Sequence, residues 1–68
     1  MKYIIMFDIP RSMNTLRNRI HRRLLKYEIK KLQDSVWISE NEEVLLELAK
    51  EIKKSGAIAR VLKFEEVL

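Results

Sequence analysis

Tyr3-Ile4-Ile5-Met6-Phe7-Asp8-Ile9-Pro10, followed by Met13, Leu16, Ile20, Leu24 and Tyr27, decides how this chain is built. The apolar run from Tyr3 to Phe7, partly β-branched, reads as a central strand covered on both faces. Asp8-Ile9-Pro10 ends it, because proline offers no N–H to a ladder and pushes the residue before it out of helical geometry. From about Ser12 the apolar residues recur every three or four positions, the period of an amphipathic helix. Ser12 and Asn14 are the candidate caps at its start. Its polar face carries Arg17, Arg19, His21, Arg22, Arg23 and Lys26.

Outward from this pair the pattern changes twice more. Leu32, Val36, Trp37 and Ile38 lie in a β-favouring stretch interrupted at Asp34-Ser35. It reads as two short strands joined by a turn or bulge, or as one long bent strand. Ser39-Glu40-Asn41-Glu42 has the S-x-x-E form of a capping box. It opens a second helix with Val44, Leu45, Leu48 and Ile52 on one face. Acids gather in its first turn and Lys53-Lys54 in its last, as the helix dipole favours. Gly56 stands where a helix-ending glycine belongs. Residues 57–64 form a last strand.

The order is βαββαβ over a single domain, residues 1–68. Two right-handed strand–helix–strand units make an α+β, ferredoxin-like fold: an antiparallel sheet with both helices on one face. The other sheet face is left without a helix, and a second copy of the chain is the expected cover.

Composition narrows the function. A 68-residue chain buries only about 60% of its unfolded surface and often needs extra stabilisation. With no cysteine and one histidine, neither disulfides nor a structural zinc site can supply it. A hydrophobic content of 47% exceeds that of a disordered chain. The longest apolar run is far too short to span a bilayer, and the N-terminus lacks the pattern of a secretory signal. A cytoplasmic protein without membrane contact is expected. Residues 1–39 carry nine Lys/Arg against three acids, a formal +6, while residues 40–68 carry five against seven, a formal −2. A basic surface concentrated on one element is the electrostatic footprint of a nucleic-acid binder. The plainer alternative is a solvated helix face that happens to be basic.

Few residues suit catalysis. There is no cysteine nucleophile and no glycine-rich phosphate loop, and His21 falls on the exposed basic face. Asp8, at a strand end, either bonds to nearby backbone N–H groups or takes part in a Mg²⁺ site. Such sites use one or two carboxylates plus water and phosphate oxygens, so two Asp8 residues across a dimer could hold one ion over a phosphodiester. Arg17 and Arg19 are two apart and do not share a helix face closely. With Arg11, Arg22, Arg23, Lys26 and Lys31 they coat a broad surface suited to a phosphate backbone. Trp37 reads as core rather than as a base-stacking platform, and Ser35 as a turn residue.

Three pieces together carry a family resemblance: Tyr3 to Pro10, then Leu16-Arg17-Asn18-Arg19-Ile20, then Leu32-Gln33-Asp34-Ser35-Val36-Trp37. They resemble the CRISPR-associated Cas2 family. The resemblance implies a ferredoxin-like homodimer that scaffolds double-stranded DNA beside the CRISPR integrase in spacer acquisition. It also implies a metal-dependent endonuclease acting on RNA or DNA, reported for some members. By position, Asp8 matches the metal-binding aspartate, Arg17 and Arg19 the helix arginines, and Ser35 and Trp37 the later Ser–aromatic pair. Lys31 stands where a basic residue is usual. Phe7 replaces the tyrosine common before the aspartate, and Tyr27-Glu28 replaces the glycine usual after the first helix. Members usually continue into a fifth strand that pairs across the dimer; this sequence ends at Leu68. The Leu-Gln-Asp-Ser-Val-Trp segment also resembles the Cas2-like domain of phenylacetate-type transcriptional repressors, a non-enzymatic dimerisation module. The virulence-associated VapD ribonucleases share the fold as a third alternative.

Overall fold

In the computed structural model, which describes residues 1–68, the apolar run becomes β1, Lys2–Asp8. A short 3-10 turn, Arg11–Met13, leads into α1, Asn14–Lys26. Then follow β2, Lys30–Gln33, β3, Val36–Ser39, α2, Glu42–Lys54, and β4, Ile58–Phe64. The strands form one antiparallel sheet in the order β2-β3-β1-β4, with β1 inside it. Each helix thus connects two strands with a third lying between them, which is the ferredoxin-like α+β arrangement.

The register decides which side chains meet the helices. Ile5 sits opposite Trp37 on β3 and opposite Val61 on β4, so these three share a sheet face. Ala59, opposite Phe7, joins them. Against this face α1 packs Leu16, Ile20 and Leu24, and α2 packs Leu45, Leu48, Ala49 and Ile52. Ile9 and Ile29 close the two ends of α1, and no polar side chain is buried. Tyr3, Phe7 and Met13 pack partly against the same core.

The opposite face carries Ile4 and Met6 from β1, Val36 and Ile38 from β3, and Ile58, Leu62 and Phe64 from β4. Met6, Leu62 and Ile58 are exposed, Ile58 to 63%. The expectation that β1 is covered on both faces is therefore corrected for the single chain. Its continuous apolar run serves a helix-covered face and an open one.

The stretch 28–39 resolves into two strands with a tight turn at Asp34-Ser35 and a bulge between Lys31 and Gln33. The bulge leaves Leu32 outside the regular pairing, and it is exposed.

Both predicted helix starts need correction. Neither Ser12 nor Asn14 caps α1; Met13 occupies the cap position and makes no side-chain bond there. The 3-10 turn takes over the role, with the Met13 N–H bonded to the Pro10 carbonyl at 2.9 Å. The capping box does not form as spaced. Asn41 is the cap, its Oδ1 accepting from the Val44 N–H at 3.2 Å. Ser39 Oγ instead accepts from the Asn41 N–H at 3.0 Å, fixing the turn that delivers Asn41. Asn41→Ala is expected to lower stability by about 1 kcal/mol. Ser39→Ala should cost less, and a urea melt of the two variants in which Ser39 proves the costlier would contradict this assignment.

The two helices end in the same hydrogen-bonded form with different residues. After α2, the Gly56 N–H reaches the Lys53 carbonyl at 2.9 Å and the Ala57 N–H the Ile52 carbonyl at 3.1 Å, with Gly56 at φ +95°. After α1, the Glu28 N–H reaches Leu25 and the Ile29 N–H reaches Leu24, both at 3.1 Å, with Glu28 at φ +56°. This pairing satisfies the last helical carbonyls but needs a left-handed residue, which costs an L side chain about 1–2 kcal/mol. Tyr27, expected as the last core position of the helix, is exposed just beyond it. Glu28→Gly is expected to stabilise the chain by about 0.5–1 kcal/mol once the entropy of glycine is subtracted. The melting temperature should rise by a few degrees; an unchanged or lower value would count against left-handed strain at this site.

Candidate nucleic-acid interface

Helix α1 buries Leu16, Ile20 and Leu24, and that phase sorts its cations into three sets. Thr15, Asn18, Arg22 and Lys26 point away from the core and are exposed. Thr15, Asn18, His21 and Arg22 line one shallow depression on this outer surface. Arg17 and His21 lie on the flank nearest the β2–β3 hairpin, where the His21 ring meets the Trp37 indole edge-on at 5.5 Å between centroids. Arg19 and Arg23 lie on the flank facing α2. Arg11 extends the exposed set from the 3-10 turn.

Arg19 and Arg23 have a partner that the sequence did not announce. Arg19 Nε lies 2.6 Å from Glu51 Oε2, and Arg23 Nη1 pairs with Glu51 Oε1. Glu51 is on α2, next to the buried Ile52, and this trio ties the two helices together. Arg11, Arg17, Arg22 and Lys26 enter no ion pair.

Asp8 ends β1 and is exposed. It lines an open groove with Arg11, Arg17, Asp34 and Ser35. The groove forms because the Phe7 N–H donates to the Ser35 carbonyl at 3.1 Å, drawing the hairpin turn onto the end of β1. Strand alternation puts Asp8 on the same sheet side as Ile4 and Met6, which is the face no helix covers. Phe7 points the other way, toward the core. Trp37 is only 2% exposed and donates its Nε1–H to the Asp34 carbonyl at 3.3 Å, so it supports the turn from within. Ser35 offers the groove its place in the turn.

Asp34 is a second acid in this groove. Lys31 Nζ stands 2.9 Å from its Oδ1. The hydrogen bond from Lys31 and its positive charge hold the Asp34 carboxyl below the usual range, with Arg17 contributing in the same direction. A depressed carboxyl stabilises the fold above its unfolded value, and that contribution disappears as pH falls through the folded value. Lys31→Gln is expected to move the Asp34 titration back upward in a carboxyl NMR titration, and an unmoved midpoint would contradict the pairing. The Lys31–Asp34 spacing of three was visible in the sequence. Glu51 gave no local signal, because its partners lie on another helix.

No cluster of three or more His, Asp or Glu side chains gathers within the chain. Neither helix is long and apolar enough to cross a membrane. No curated protein matches the chain. The family model described as CRISPR associated protein Cas2 matches residues 1–64, from before β1 to the last residue of β4. The resemblance carried by the first 39 residues therefore extends across every strand and both helices, and the chain belongs to the Cas2 family of CRISPR-associated proteins.

Proposed function

We propose that this protein acts in the cytoplasm as a homodimer that holds a nucleic-acid duplex during spacer acquisition, beside the CRISPR integrase. The carrying observation is that the two surfaces lie apart. The apolar sheet face, with Met6, Ile58 and Leu62 exposed, suits a second copy of the chain. The unpaired cations Arg11, Arg17, Arg22 and Lys26 lie on the helix layer and its end, free to meet phosphates. The outer face of α1 presents polar groups and cations without the row of exposed aromatic platforms that single-strand binders use, which favours a duplex backbone. A salt titration of a labelled DNA duplex tests this reading. Affinity that falls steeply with salt supports it. Salt-insensitive dimers without affinity for nucleic acid would instead support an assembly module of the repressor type, and cleavage of single-stranded RNA without duplex binding a VapD-like ribonuclease.

A second reading, metal-dependent phosphodiester hydrolysis, draws on the position of Asp8. Its carboxylate faces the side where a second copy would sit, so a symmetric pair would contribute two such groups. Their hard oxygen donors suit Mg²⁺ completed by water and phosphate oxygens. When bound, the ion would lower the pKa of a water and stabilise charge on the phosphate. Arg11 and Arg17, in the same groove, would orient the phosphodiester. Asp8→Asn is expected to abolish Mg²⁺-dependent cleavage while leaving duplex binding intact. Cleavage that persists in the pure variant would remove Asp8 from the chemistry.

A further inference from the structure

We infer that Glu51 is a positioning residue that withdraws Arg19 and Arg23 from nucleic acid and so sets which cations of α1 make contact; this rests on the duplex-binding reading above. Each oxygen of the Glu51 carboxylate is taken by one arginine, Oε2 by Arg19 Nε and Oε1 by Arg23 Nη1. The Glu51 side chain is 24% exposed, against 46% for Arg19 and 31% for Arg23, so solvent screens the acid at the centre of the trio less than a rim acid. Two guanidinium groups and one carboxylate leave the trio with a net charge of one. Charge-assisted bonds from arginine to a carboxylate are among the stronger polar contacts, and a phosphate would have to displace them. Both arginines are also turned toward α2, while Arg22 and Lys26 on the same helix are exposed without an ion-pair partner, Lys26 lying 6.0 Å from the centre of the Tyr27 ring.

The consequence is a division that residue type alone would hide. Arg19 and Arg22 are the same side chain three positions apart, yet one holds two helices together and the other is free. Removing the acid should release two long cations at the margin of the proposed interface. Duplex affinity would then gain salt dependence, because each phosphate neutralised steepens the fall of log affinity with log salt by about 0.9.

The test compares the salt dependence of duplex DNA binding for the wild type and four variants, with helical circular dichroism as the check on folding. Glu51→Gln is expected to steepen the slope by about 0.9 for each of the two released arginines, about 1.8 per chain. Glu47→Gln makes the same change of formal charge at an exposed acid without an ion-pair partner and should change the slope less. Arg22→Gln should flatten it by about 0.9. Arg19→Gln should leave it unchanged while lowering the melting temperature. If Glu51→Gln fails to fold, Arg19→Gln against Arg22→Gln still decides the matter from the other side of the trio. Equal flattening by those two, or equal effects of Glu51→Gln and Glu47→Gln, would overturn the inference and leave duplex binding standing. A wild type with no affinity for the duplex would overturn both.

Discussion

Ile5→Ala is expected to remove a large part of the stability of the fold. Ile5 is fully buried at the middle of the inner strand, opposite Trp37 on one side and Val61 on the other. Truncating such a side chain costs about 2–5 kcal/mol, part in lost transfer energy and part in the cavity left behind. At about 0.05–0.15 kcal/mol per residue, a chain of this length has roughly 3–10 kcal/mol in total. The substitution therefore removes a large fraction of the margin. Ile5→Val, which keeps the β-branch and loses one methylene, should cost only about 0.5–1.5 kcal/mol. Urea melts of the two variants check this. A loss below about 1 kcal/mol for Ile5→Ala would mean that the layers collapse onto the gap.

The second large effect concerns the unpaired cations. Changing Arg11, Arg17, Arg22 and Lys26 together to glutamine is expected to remove most duplex affinity without disturbing the fold, since none of the four is buried or ion-paired. A dimer using all eight would lose roughly 10³–10⁵ in affinity between about 50 and 200 mM salt, as expected for six to ten phosphate contacts. The variant should bind weakly with a nearly flat salt dependence. Binding of wild-type strength and steepness in the quadruple variant would place the interface elsewhere.

These expectations draw on parts of the molecule that were unequally legible in the sequence. β1 and both helices could be read because burial repeats along them: five apolar residues in succession, then spacings of three and four. The element order followed, and with it the sheet and its open face. The helix starts could not be read so well. Ser12, Asn14 and Ser39 all have capping chemistry, and the choice among nearby caps depends on the path by which the chain arrives. The Pro10 carbonyl settles α1, and Ser39 acts one step earlier, on the turn before α2. The candidate site divides in the same manner. Asp8 at a strand end and the run of helix arginines are local features. That Arg19 and Arg23 are held by Glu51 and Asp34 shares the groove of Asp8 depends on contacts between elements far apart in sequence or brought together by the hairpin.

The placement of Trp37 also gives the molecule an internal optical reporter. It is the only tryptophan, buried beneath α1, with its indole N–H on the Asp34 carbonyl and one ring edge against His21. Its emission will be blue-shifted in the folded chain and move to the red as the helix layer separates from the sheet. The indole itself is buried, so a duplex bound on the exposed cations of α1 would change this signal less than unfolding does. Folding and binding can therefore be followed separately in one cuvette, folding by the native tryptophan and binding by a dye on the DNA.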